Sequence, residues 1–260
     1  MPPEMARRPC QFHSAGAKRA GMADSPYDIV GFDLDGTLLD TSGDLTAAVN
    51  HALDSAGRPT LTVEQVRPMV GGGSRHMLAQ GMAATGGCSE AELDVLQRRL
   101  LDHYEANIAV ETRPFPGAVE AMDALAARGV ALAVVTNKNE RLAVKVLDAL
   151  GLSARFAAII GGDTMGPGRA KPEPDPILEM IERCGGGTLQ SSTLRGPRGG
   201  GRAAFVGDSI YDVRAAQAAG CPCVAVSFGF LQQPIEELGA DAVIDSYAEL
   251  IPALERLSAI

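Results

Sequence analysis

The chain is constrained most by a series of short apolar runs, each stopping abruptly at residues able to do chemistry. Ile29-Val30-Gly31-Phe32 runs into Asp33-Leu34-Asp35-Gly36-Thr37, and Val130 to Val135 runs into Thr136 and Asn137. Phe156 to Ile160 is followed by Asp163 and later by Lys171, and Ala203 to Val206 by Gly207 and Asp208, with Asp212 beyond. Short apolar runs bounded by turn residues predict buried strands. Helical patterns separate them: Ala118 to Arg128 stopped by Gly129, Glu140 to Leu150 stopped by Gly151, Asp175 to Arg183, and Val213 to Ala219 ahead of Gly220. Cys223 to Val226 and Ala242 to Ile244 complete the strands. Strands alternating with helices predict an α/β fold, a doubly wound parallel sheet with a Rossmann-like core.

The alternation is interrupted after the first strand. Leu45, Ala48, Val49, Ala52, Leu53 and Ala56 recur at helical spacing until Gly57. Thr62 with Gln65, and Ser89 with Glu92, have the form of capping boxes. The second heads a helix with Leu93, Leu96, Leu100 and Tyr104 on one face, while Pro68 curtails the helix opened by the first. No strand pattern is evident from 41 to 112, so this block is expected to be a small α-helical domain inserted into a core formed by 26–40 and 113–260. Residues 1–25 are expected to be a disordered extension, with Met22 reading as a natural start. The stretch Gly185 to Arg202, with seven glycines, three arginines and no acid, is expected to be a flexible loop.

Composition removes several classes of function. The chain has 260 residues with 46% hydrophobic and 21% charged residues, which is ordinary for a globular protein. Its longest apolar run, Val130 to Val135, is far short of the roughly 18 residues of a membrane span. A net charge of −9 without a basic stripe argues against a nucleic-acid partner. The five cysteines are odd in number and lack metal-knuckle spacing, which suits free thiols in a reducing cytoplasm. Nothing in the sequence sets the oligomeric state.

Ligands of open parallel sheets sit beyond the carboxyl ends of the strands. There the chain delivers Asp33, Asp35, Asp208 and Asp212, with Asp163 as a further candidate, together with Thr136 and Lys171. Several carboxylates, one hydroxyl and one amine suit a hard divalent cation with a phosphoryl group held between metal and ammonium. Each piece alone has a plainer reading: Asp-Gly is a common turn, Asp a common helix cap, and Lys171 a solvated side chain. It is their order and placement together that point to chemistry.

Asp33-Leu34-Asp35-Gly36-Thr37-Leu38, Val134-Val135-Thr136-Asn137-Lys138, Lys171-Pro172-Glu173-Pro174 and Gly207-Asp208-Ser209-x-x-Asp212 resemble, in order, the four motifs of the haloacid dehalogenase superfamily. From about Tyr27 onward the chain is most similar to the bacterial phosphoglycolate phosphatases of that superfamily. The resemblance implies a phosphatase for a small phosphorylated metabolite, most simply 2-phosphoglycolate, with a sugar-phosphate phosphatase or phosphosugar mutase as the alternative and a non-catalytic binding module as a third reading. It implies Asp33 as nucleophile, Asp35 as general acid and base, Thr136 and Lys171 as further catalytic groups, and Gly36, Thr37 and Asn137 as substrate contacts. It also implies Mg²⁺ held by Asp33, the Asp35 backbone and Asp208, with Asp212 beside them. The acid at position 35 sets the chain apart from haloacid dehalogenases. The absence of lysine in the helical block sets it apart from phosphonate-cleaving relatives. Within that block, Gly71-Gly72-Gly73-Ser74-Arg75-His76 leads into a helix start, and Arg75 is expected to hold the second anionic group of the substrate.

Overall fold

The computed structural model describes residues 25–185 and 202–259. The expectations for the N-terminal extension up to residue 24 and for the glycine-rich stretch 186–201 lie outside the described residues. From the N-terminal side, β1 (Ile29–Phe32) and β2 (Leu39–Asp40) precede four helices: α1 (Ser42–Ser55), α2 (Val63–Val66), α3 (Ser74–Ala84) and α4 (Glu90–Ala106). Then follow β3 (Arg113–Pro114), α5 (Ala118–Ala127), β4 (Ala131–Val135), α6 (Glu140–Ala149), β5 (Ala158–Ile160) and α7 (Asp175–Cys184). The chain continues with β6 (Ala203–Gly207), α8 (Ile210–Ala218), β7 (Cys223–Val226), β8 (Ala242–Ile244) and α9 (Leu250–Ser258). Among the described residues no helix is long and apolar enough to cross a membrane.

Six strands form one parallel sheet in the order β5-β4-β1-β6-β7-β8. The order reverses around β1, which puts the topological switch point, and with it the ligand crevice, at the end of this strand. Alternate side chains point to opposite faces. Val30, Phe32, Leu132, Val134 and Val206 join α5, α6 and α9 in one apolar cluster. Ile29, Ala133, Val135, Phe205 and Cys223 join α7 and α8 in another. Gly31 shows how close this packing is: a Cβ there would overlap Met180 and Phe205.

The inserted helices have their own apolar cluster, in which Leu45, Val49 and Leu53 of α1 meet Leu78 and Met82 of α3 and Leu96 and Leu100 of α4. This helical insertion carries its apolar positions at the spacing read from the sequence. Its two connections to the core are tied together: β2 pairs antiparallel with β3, and Asp44 accepts from the Glu111 and Thr112 N–H groups and the Thr112 hydroxyl. The capping box at Thr62 forms, and the helix gives way to a 3-10 turn at Arg67–Met69, where Pro68 lies. Helix α8 begins three residues earlier than its apolar pattern suggests, because Ser209 and Asp212 form a further capping box.

Candidate active site

Strand register assembles the site. Phe32 pairs with Val134 on one side and Val206 on the other. Asp33 therefore emerges level with Val135 and Gly207, flanked by the residues that follow them, Thr136 and Asp208. All three are buried. Lys171 reaches the same point from the loop before α7. Its Nζ donates to Asp33 Oδ1 at 2.9 Å, to Asp212 Oδ1 at 2.6 Å and to the Val135 carbonyl at 2.7 Å. These three acceptors engage all the N–H groups of the ammonium. Burial alone would lower the Lys171 pKa, but Asp212 and Asp33 outweigh it and hold the amine charged.

One lysine does not balance this many buried acids. Burial pushes the Asp33 carboxyl from 3.8 up to about 7; Lys171 opposes that rise, while Asp212 adds to it. Asp208 is raised by burial and then by Asp212 and Asp33, despite accepting hydrogen bonds from the Phe230 N–H and the Thr37 hydroxyl. One ligand atom each of Asp33, Asp208 and Asp212 lies within 4.8 Å of the others. Buried, mutually repelling oxygen donors are the environment that a hard divalent cation relieves, so the residues fit such an ion. Asp212 is the least free of the three. Its Oδ2 accepts from the Asp208 and Ser209 N–H groups and the Ser209 hydroxyl, and its Oδ1 from Lys171, so it orients Lys171 and the Asp208 loop.

Asp35 lies on the other side of the opening. Thr41 donates to its Oδ1 at 2.7 Å, and Lys138 Nζ lies 3.0 Å from its Oδ2. Lys138 is a functional candidate that the sequence reading passed over. Burial works against its charge, but Asp35 and Tyr104 hold its pKa above the ordinary value. Its Nζ lies 4.4 Å from the centre of the Tyr104 ring, which belongs to the inserted domain. The signal that could have found it was its position two residues beyond Thr136, on the loop that turns over the crevice.

Several expected contacts are placed differently. Gly36, at φ +84°, takes a turn that L side chains rarely adopt, and a Cβ there would overlap the Asp208 carboxylate. Its N–H is bonded to the Leu39 carbonyl at 2.9 Å, so the glycine makes room for Asp208 and its amide is not free for substrate. The Thr37 hydroxyl serves Asp208. The Asn137 side-chain amide donates to the carbonyls of Gly71 and Lys171, at 2.8 and 3.0 Å, which ties the inserted domain to the core and leaves no side-chain donor for a ligand. Asp163 turns outward to cap α6 through Asn139 and the Glu140 N–H. Arg75 is absent from the cavity wall because Glu90 and Asp94 of α4 hold its guanidinium at the surface. The guanidinium fork expected to hold a substrate anion is paired with the protein's own acids.

Asp33, Asp35, Thr136 and Lys138 line a cavity between sheet and inserted helices, with Gly71, Gly73 and Ser74 also in its lining. Buried paired aspartates at the switch point of a parallel sheet, under a helical insertion, define a hydrolase core with a cap. The haloacid dehalogenase-like hydrolase model matches residues 27–220, and the chain belongs to this family. It is 42% identical over 224 residues to a phosphoglycolate phosphatase of Agrobacterium fabrum, covering 86% of this chain and 90% of that one. It is 41% identical over 222 residues to the Caulobacter vibrioides phosphoglycolate phosphatase, covering 85% and 88%. The solved structure of a protein described as a predicted phosphoglycolate phosphatase from Haemophilus somnus is similar at a TM-score of 0.77, with 28% identity, covering 89% of this chain and 99% of that one.

Proposed function

We propose that this protein is a Mg²⁺-dependent phosphatase of the cytoplasm that hydrolyses 2-phosphoglycolate to glycolate and phosphate. The observation that carries the reading is the pairing of Asp33, buried against Lys171, with Asp35, held by Lys138 and Thr41 on the same opening. The names of the relatives support the choice of substrate.

In the first half-reaction an Asp33 carboxylate oxygen attacks phosphorus, and the bond from phosphorus to the glycolate oxygen breaks. Asp35 gives its proton to that leaving oxygen. In the second, Asp35 takes a proton from water as the water attacks phosphorus, releasing phosphate and restoring Asp33. The Thr136 hydroxyl holds a phosphoryl oxygen, and Lys171, whose N–H groups are engaged by the protein, offsets the charge on Asp33 and on the phosphoryl group. The Asp33 and Asp208 carboxylates and the Asp35 backbone carbonyl would hold Mg²⁺, with Asp212 behind them. When bound, the ion supplies positive charge that draws Asp33 into its ionised form and polarises the phosphoryl group.

The test is phosphate release from a panel of phosphorylated metabolites with Mg²⁺. The expected result is the highest kcat/KM on 2-phosphoglycolate. A sugar phosphate turned over far better, or no phosphatase activity on any ester, overturns the proposal.

A further inference from the structure

The reading above needs a place for the carboxylate of phosphoglycolate, and Arg75 does not provide one. The cavity around Thr136 holds three donors without a full set of partners. The Tyr104 hydroxyl is almost completely buried, with 2% of the residue exposed; Lys138 stands beside it, and among the described residues no group accepts its proton. Lys138, bonded to Asp35 through one N–H, lies over the same ring. The third is the first turn of α3. The Met77 N–H bonds back to the Gly73 carbonyl, and Gly73 has no side chain to cap the turn, so its leading N–H groups lack an intrahelical acceptor. Gly73 and Ser74 lie on the cavity wall, and the Gly73 backbone approaches the Asn137 carbonyl, one residue before Lys138. Leu45, Met77, Leu100 and Leu142 lie among them in the lining, where an unpaired polar group is costly.

We infer that Lys138, the Tyr104 hydroxyl and the Ser74 end of α3 form a carboxylate subsite that recognises the second anionic group of a small phosphorylated acid. The inference rests on the phosphoglycolate reading and assigns its specificity to residues from both sides of the cavity. Thr136 and Lys138 are two residues apart on one loop, so phosphoryl group and carboxylate are served from one turn of chain. Cap and core each contribute part of the subsite, and all three donors suit the negative charge of a carboxylate.

The test compares 2-phosphoglycolate with ethyl phosphate, which has the same ester but a methyl group in place of the carboxylate. Tyr104→Phe removes one donor and keeps the ring. Ser74→Pro removes the first N–H of α3 at a position where proline suits a helix, after a Gly73 whose ψ of 167° is compatible with a following proline. Ser74→Ala is its reference, because it lacks the hydroxyl and keeps the N–H.

The measured quantity is the ratio of kcat/KM on phosphoglycolate to that on ethyl phosphate. It should fall about tenfold in Tyr104→Phe, and by a similar factor in Ser74→Pro relative to Ser74→Ala, the size of a hydrogen bond to a charged group. Thermal melting checks folding, and Tyr104→Phe carries the test if the proline variant does not fold. A wild-type preference for phosphoglycolate that survives in these variants overturns the subsite and leaves the substrate reading standing. A wild-type enzyme that does not prefer phosphoglycolate over ethyl phosphate overturns both.

Discussion

Asp33→Asn should abolish turnover and, in metal-free buffer, make the protein more stable at pH 8. The nucleophile is carried from 3.8 to about 7, mainly by burial. Between those values the folded protein keeps a proton that the unfolded chain has released, so stability falls as pH rises through the window and levels off above it. At pH 8 an ionised Asp33 costs roughly 4 kcal/mol relative to a neutral group of the same shape. Asparagine has that shape, and its carbonyl oxygen can still accept from Lys171, but it cannot attack phosphorus. Lys171 loses one charged neighbour in the exchange, which brings the expected gain to about 2–4 kcal/mol at pH 8. At pH 5 the wild-type Asp33 is largely protonated when folded, and the gain should shrink to less than about 2 kcal/mol. Urea unfolding of both proteins in EDTA at the two pH values measures this directly. Adding Mg²⁺ should favour the wild type, whose carboxylate the ion can use. A variant no more stable than wild type at pH 8 in EDTA, or one with the same gain at both pH values, would refute the argument that burial of excess negative charge dominates this site.

Three further outcomes follow from the same geometry. Lys171→Met leaves Asp33 and Asp212 without their shared ammonium and should lower stability by about 3–5 kcal/mol at neutral pH, with loss of turnover, as read by urea melts and phosphate release. EDTA should remove activity and Mg²⁺ restore it, while Ca²⁺ restores little because its larger, looser shell suits in-line transfer poorly; a titration of each ion against initial rate checks this. Arg75→Ala should leave KM for phosphoglycolate and the melting temperature close to wild type, because its ion pairs with Glu90 and Asp94 are solvent-exposed.

The core was legible because parallel strands buried on both faces read as continuous apolar runs, and each ends where the chain must turn. Ile29 to Phe32 and Ala203 to Val206 lie in strands as expected, and the run from Val130 to Val135 does so from Ala131 onward. The inserted helices were legible from the recurrence of Leu45, Val49 and Leu53 and from the capping residues Thr62 and Ser89. Boundaries were less so. The β2–β3 ribbon is too short to carry a period, and α8 starts at Ile210, behind the N-cap Ser209, because a capping box, which apolar spacing does not register, sets its first turn.

In the site, the legible residues were those whose role depends on where a strand ends: Asp33, Thr136 and Asp208 follow from register alone. What remained unreadable was the choice of partner. Thr37 could have faced a substrate, and it faces Asp208 because the Gly36 turn brings that carboxylate against it. Arg75 could have met a ligand, and it meets Glu90 and Asp94, fifteen and nineteen residues further along, because α3 and α4 pack side by side. Lys138 was hidden for the same reason: its neighbours Asp35 and Tyr104 belong to a different strand end and a different domain. Nothing in its own loop pairs with it, and it is buried between two elements that only the tertiary fold brings together. The residues that hold the phosphoryl group are therefore set by one sheet edge and are readable from sequence. The residues that select what the phosphoryl group is attached to are set by how the cap sits on that edge, which pattern and spacing do not encode.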